Sequence, residues 1–210
     1  MEKLIIIGAG GYAKSVIDAV DIYNYEIAGF MDEFTQKEEH LGYPVLAKHL
    51  DDIENSEKYV YFVAVGNNKN RKVWFDKLVE RNLRIINVVD RTAVISPRAT
   101  IGIGCFVGKL AVVNSTAKIG NNCLINTRAT VEHGCTIADH VNISTSTVVN
   151  GDVTIGTGSF IGSASVVIGQ KKVGEWSTVG AGAVVTSNIG DNVTAVGIPA
   201  KEIKKGADLG

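Results

Sequence analysis

The stretch Ala129 to Ser144, ATVEHGCTIADHVNIS, gathers Glu132, His133, Cys135, Asp139 and His140. Two imidazoles, a thiol and two carboxylates could ligate a metal, activate a nucleophile or carry a proton. A second stretch, IIIGAGGYA, reads as a strand, a turn Gly8-x-Gly10-x-x-Ala13 and a helix. Glycine there lets backbone approach a phosphate, and a helix N-terminus favours its charge. Asp32 follows Ala13 by nineteen residues, about where an acid that binds a ribose hydroxyl belongs. Neither stretch chooses among these chemistries by itself. The elements that position the residues have to.

The chain has 210 residues, enough for one large domain or two small ones. Hydrophobic residues make up 45% and charged ones 20%, the balance of a soluble globular protein. A formal net charge of −1 and the lack of any Lys/Arg block interleaved with aromatics give no reason to expect nucleic acid or an anionic membrane. The opening MEKLIIIGAGG reaches glycine after four apolar residues, too few for a signal-peptide core or a bilayer span, so a cytoplasmic location is expected. Cys105, Cys123 and Cys135 are odd in number, which argues against a disulfide framework.

Two regimes divide the chain near residue 90. Over residues 1–90, KLIIIGAG, YEIAGFMDE, KYVYFVAVG and RIINVV read as strands, and GYAKSVIDAVDIY and NKNRKVWFDKLVERN as helices. Such alternation implies a small Rossmann-like α/β domain with a parallel sheet covered by helices. Over residues 91–210 helical periodicity gives way to a six-residue repeat. From Ile95, sixteen consecutive hexads open with Ile or Val without an insertion. That is the signature of a β-helix solenoid, in which each coil buries its aliphatic side against the next. Each buried Ile or Val contributes on the order of 1.5–3 kcal/mol. The fifth hexad position is mostly Ala, Cys, Ser, Thr or Val, as a narrow interior requires.

This frame narrows the first stretch. All three cysteines hold fifth positions and are expected inside the solenoid as small hydrophobes. His133, at a third position, cannot join Cys135 there, so no metal site is expected. His133 is expected outward at a corner, with Gly151 one coil on leaving open space beside the imidazole for a ligand's approach. On these residues alone His133 is a solvated surface histidine or a base.

The hexads resemble the left-handed β-helix of the hexapeptide-repeat acyltransferases. The whole chain resembles their nucleotide-aminosugar N-acetyltransferase and sialic acid O-acetyltransferase-like members, on GAGG at Gly8–Gly11, FMDE at Phe30–Glu33, AVGNN at Ala64–Asn68 with Arg71, VEHGC, and VGIPAK at Val196–Lys201. The resemblance implies three hexads per coil, a homotrimer with active sites between subunits, acetyl-CoA as co-substrate and direct transfer without an acyl-enzyme. It makes His133 the general base, consistent with an imidazole's capacity to accept a proton near neutral pH. It assigns acetyl-CoA contacts to Asn142, Gly151, Ser163, Ala181 and Lys201. It assigns a nucleotide-linked sugar to Gly10, Gly11, Tyr12, Asp32, Glu33, Gly66 and Asn67, with Asn126 as a further sugar contact or a corner stabiliser. Three positions depart from the family pattern. Gly134 replaces the acid that follows the base, so Asp139 or a backbone carbonyl is expected to orient the ring. Asn142 replaces a second histidine, and Tyr12 replaces the histidine after the double glycine.

The expected activity is acetyl transfer to the amino group of a nucleotide-linked 4-amino-deoxy sugar, UDP being favoured over dTDP and GDP, for a surface glycan such as an O-antigen. A sialic-acid-type O-acetyltransferase, a nucleotide-sugar-binding relative without catalysis and an NAD-binding protein are the alternatives.

Overall fold

A computed structural model describes residues 1–203; the end of the expected C-terminal tail, residues 204–210, lies outside the described residues. The first half holds β1 (Glu2–Ile7), α1 (Gly11–Ala19), β2 (Tyr25–Met31), β3 (Glu39–His40), β4 (Tyr43–Ala47), β5 (Val60–Val63), α2 (Asn68–Glu80) and β6 (Arg84–Ile85). They form one sheet in the order β3-β4-β2-β1-β5-β6, parallel except for the β3–β4 hairpin. Leu4 to Ile7 and Val60 to Val63 are unbroken apolar runs, buried on both faces, as central parallel strands must be. β1 lies between β2 and β5, so the chain leaves β1 toward opposite sides of the sheet. That switch point opens a crevice at the strands' carboxyl ends.

The hairpin β3–β4 was not expected from the sequence. It is an edge element, half exposed and carrying Pro44, so it lacks the continuous apolar run that marks β1 and β5. RIINVV, expected as one strand, is split. β6 closes the first sheet, while β7 (Val88–Val89) pairs in parallel with Phe106–Val107 and starts the solenoid.

From β7 onward two-residue strands stack at intervals of eighteen residues, for example Phe106↔Leu124 and Leu124↔Asn142. Three parallel sheets result, the fold class expected from the hexads. Hexad-opening residues from Val107 to Val185 are all buried and form one continuous core. Fifth-position thiols and hydroxyls reach across the interior to carbonyls fifteen residues on. Cys123 Sγ donates to Ala138 O at 3.1 Å and Ser159 Oγ to Gly174 O at 2.6 Å. A polar atom is thereby admitted without an unmet hydrogen bond. Every sixth residue from Gly104 to Gly182 takes positive φ, including Thr116 (61°), Asp152 (59°) and Gln170 (62°), so each corner turns through the left-handed region whatever its side chain. Antiparallel pairing of Thr194–Val196 with Lys201–Ile203 covers the last exposed edge of the largest sheet.

The first half packs on one corner of this prism through α2. Asn68 Nδ2 donates to Gly158 O and Ser159 O. Arg71, fully buried, donates from Nε to Asn122 O at 3.2 Å and from a terminal nitrogen to His140 O at 2.8 Å. Phe75 fills the space that a side chain on Gly104 would take, and meets the His140 ring edge-on at 5.6 Å. No helix among the described residues is long and apolar enough to cross a membrane.

Candidate active site

The crevice predicted by the sheet order is a cleft of about 560 Å³. Gly8, Gly10 to Tyr12, Met31 to Phe34 and Ala64 to Gly66 line it, with Asn70, Trp74 and Lys77 from α2. Gly8 has φ of +98°, and a Cβ there would stand 3.0 Å from Ala64 O, so only glycine lets the two loops approach. Gly10 caps α1 with no side-chain partner, and nothing stands within 4 Å of where Cβ atoms of Gly10 or Gly11 would be. The first N–H groups of α1 therefore open onto the cleft, a natural seat for phosphate.

Asp32 lines the cleft with both carboxylate oxygens bonded to backbone N–H groups. Its Oδ2 accepts Ala9 N–H at 2.7 Å and its Oδ1 accepts Phe34 and Thr35 N–H at 2.8 and 2.9 Å. Partial burial pushes the carboxyl pKa up, but the three backbone donors outweigh it and the net direction is down. Asp32 ties the glycine turn to the β2 end. Glu33 lines the cleft beside it, with His49 Nδ1 at 3.5 Å and Lys77 Nζ at 4.0 Å. Lys77 Nζ also lies 4.0 Å above the Trp74 ring. Asn67 caps α2, its Oδ1 accepting Asn70 N–H at 3.0 Å, while Gly66 remains on the cleft wall. Tyr12 lines the cleft but turns its ring toward the solenoid, edge-on to Phe106 at 5.3 Å. Burial drives its phenol pKa well up, opposed by the Arg71 charge. Arg71 also donates to Gly66 O at 3.1 Å and so joins the cleft wall to the solenoid, a role its sequence position gave no means of reading.

His133 is exposed on the corner between Thr130–Val131 and Thr136–Ile137. The open space expected beside it is absent, because the imidazole itself fills it. A Cβ on Gly151 would stand 2.5 Å from His133 Cε1 and 2.7 Å from Nε2. Gly151 is the floor on which the ring lies. Asp139 does not orient this ring: its Oδ1 accepts Asn121 N–H at 2.7 Å on another corner. Glu132 accepts Asn114 Nδ2–H at 2.9 Å. Cys135 Sγ points inward and donates to Asn150 O at 3.0 Å, and burial pushes its thiol pKa up. It is neither a ligand beside His133 nor a nucleophile. His140 is buried under α2, its Nδ1 2.9 Å from Asn122 Nδ2, with burial holding the imidazole below its ordinary pKa.

The remaining expected acetyl-CoA contacts spread around the prism. Ser163 and Ala181 stack on a different corner from His133, where Ser163 Oγ meets Ser144 Oγ at 2.8 Å. Asn126, lower on that corner, accepts Thr127 N–H at 2.8 Å, which suits a corner stabiliser. Asn142 is on the sheet face that leads into that corner, stacked between Leu124 and Phe160, buried, with Oδ1 lacking a partner among the described residues. Lys201 is exposed on the last strand.

Residues 3–78 match the PglD N-terminal domain family and residues 116–151 the bacterial transferase hexapeptide family. The acetyltransferase domain of PglB from Neisseria gonorrhoeae is 34% identical, with a TM-score of 0.92 over 97% of this chain and 100% of that one. A histidine variant of perosamine N-acetyltransferase from Caulobacter crescentus, in complex with CoA and GDP-perosamine, is 30% identical with a TM-score of 0.90 over 97% of both chains. The chain belongs to the hexapeptide-repeat sugar acetyltransferases. The uncharacterized protein L142 of Acanthamoeba polyphaga mimivirus is 32% identical over 105 residues, 49% of this chain; the match spans 20% of that relative's length. Both halves of this family member align with those two structures over 97% of the chain.

Proposed function

We propose that the protein transfers acetyl from acetyl-CoA to the amino group of a nucleotide-linked 4-amino-deoxy sugar. The carrying observation is the full-length likeness to a perosamine N-acetyltransferase in complex with CoA and GDP-perosamine, both halves included. The nucleotide's diphosphate meets the N–H groups of α1, and its sugar extends from the cleft toward the solenoid. UDP is the nucleotide we favour from the sequence, and GDP is the one in the solved relative, so both belong in the test with dTDP.

His133 serves as general base. Its ring takes a proton from the amine as nitrogen attacks the thioester carbon. The tetrahedral oxyanion is met by corner N–H donors, and collapse expels the CoA thiolate without a covalent enzyme intermediate. Of the expected CoA contacts, Gly151 is on one corner of the chain and Ser163 and Ala181 on another, so a single arm of CoA reaches both sets most directly between two copies. This supports a homotrimer with its sites at the junctions. A cytoplasmic location, the one expected from the sequence, belongs to the same reading.

The test is thiol release from acetyl-CoA with UDP-, GDP- and dTDP-linked 4-amino-4,6-dideoxy sugars, comparing native protein with His133→Ala. Release that collapses in the variant supports the reading. Release from sialic acids instead establishes O-acetylation. CoA binding without release to any acceptor means a binding protein, a reading favoured by the lack of any hydrogen bond to the His133 ring among the described residues.

A further inference from the structure

A base that works through one ring nitrogen needs an acceptor on the other, to fix the tautomer and steady the imidazolium that forms. Glu132 and Asp139 are both committed elsewhere. A third carboxylate stands at the same corner. Asp152 N–H donates to His133 O at 2.9 Å, fixing the two residues one above the other. A Cβ on Gly134 would fall 2.0 Å from Asp152 Oδ1, so this carboxylate occupies the volume in which a side chain after His133 would begin.

Gly134 is therefore glycine for space rather than for backbone angle. Its φ is +68°, but Thr116 below it and Asp152 and Gln170 above it hold 61°, 59° and 62° on the same corner with side chains. What distinguishes position 134 is the carboxylate lying over it. That carboxylate is exposed and accepts no hydrogen bond among the described residues.

We infer that Asp152 is the positioning residue for His133, supplying from the next coil the carboxylate that Gly134 lacks. The two side chains form no ion pair or hydrogen bond as they stand in this structure; a turn of the exposed Asp152 side chain from above Gly134 brings its carboxylate to the ring N–H on the side away from the substrate, and leaves the other nitrogen's lone pair to take the amine's proton. This deepens the proposed acetyl transfer and depends on His133 being its base.

The experiment compares native chain, His133→Ala, Asp152→Asn, Asp152→Gly and the relocated pair Asp152→Gly/Gly134→Glu, by thiol release and by 15N NMR of the His133 ring without substrate. Asp152→Asn is expected to lower kcat by about tenfold or more with KM for both substrates and the melting temperature retained. Its ring tautomer populations should shift, and the relocated pair should recover most of the rate lost in Asp152→Gly. Native kcat in Asp152→Asn, with His133→Ala inactive, overturns the role of Asp152 and leaves acetyl transfer standing. Full rate in His133→Ala overturns both. If no acceptor supports turnover, an unchanged tautomer ratio in Asp152→Asn overturns the inference and a changed one sustains it.

Discussion

Replacing Gly151 by alanine should disable the site while leaving the fold intact. The new Cβ would stand 2.5 Å from His133 Cε1 and 2.7 Å from Nε2, where ordinary contact begins at 3.4 Å. Backbone at Gly151 does not need positive φ, so alanine fits the chain. The ring, exposed and without hydrogen bonds among the described residues, is what yields. It must retreat by about 1 Å, and a misplacement of about that size costs on the order of 100-fold in rate. That equals about 2.7 kcal/mol of barrier. Stability should change by no more than about 0.5 kcal/mol, since an exposed ring moves and the core does not. Thiol release at saturating substrates, with a thermal melt on the same sample, reads both quantities. A kcat within about twofold of native would refute the reasoning; so would a fall of several degrees in melting temperature.

Arg71→Met should lower the melting temperature by roughly 10 °C, because Asn122 O and His140 O lose buried donors at about 1–3 kcal/mol each; differential scanning calorimetry measures it. His140 is held below its ordinary value of 6.5 by burial, so the unfolded chain binds its proton more readily. Stability from this group is complete above about pH 6.5 and is lost as pH falls through the depressed value. Melting curves from about pH 7.5 to about 5 should show that decline, and His140→Gln should flatten it. The three buried thiols should resist alkylation until the chain unfolds, and Cys135→Ala should keep the native rate of thiol release.

The hexads made the solenoid legible because a repeat that buries one aliphatic residue in six leaves its period in the sequence. Its start was not legible. Val89 opens a further hexad, VDRTAV, yet it is exposed, whereas the openers from Val107 to Val185 are buried; its neighbour Val88 is buried, as Phe106 and Leu124 are one and two coils on. The glycine turn and the crevice could be read because strand, Gly-x-Gly and helix occur in order. The occupations of individual polar groups could not. The backbone N–H groups that Asp32 accepts leave no mark in its sequence position, and Arg71 differs from a surface arginine only in what covers it. Asp152 and the Gly151 floor did leave a signal, since each stands eighteen residues beyond Gly134 or His133. Reading it required asking what a missing side chain makes room for.

Helix α2 docks along a single column of the prism, reaching Gly158 with Asn68, Asn122 and His140 with Arg71, and Gly104 with Phe75. These contacts set two rulers side by side. Along the helix, chain advances by about 1.5 Å per residue; along the column it advances by about 4.8 Å per coil. Seven helical steps, from Asn68 to Phe75, are thus matched against three coil steps, and the match fixes which coils can be duplicated or lost. A coil added beyond Gly158 lengthens the prism and leaves the docking untouched. A coil added between Gly104 and Gly158 puts the α2 contacts on its two sides out of step with each other. The repeat is uniform, but the partner lying against it makes one span of it indivisible.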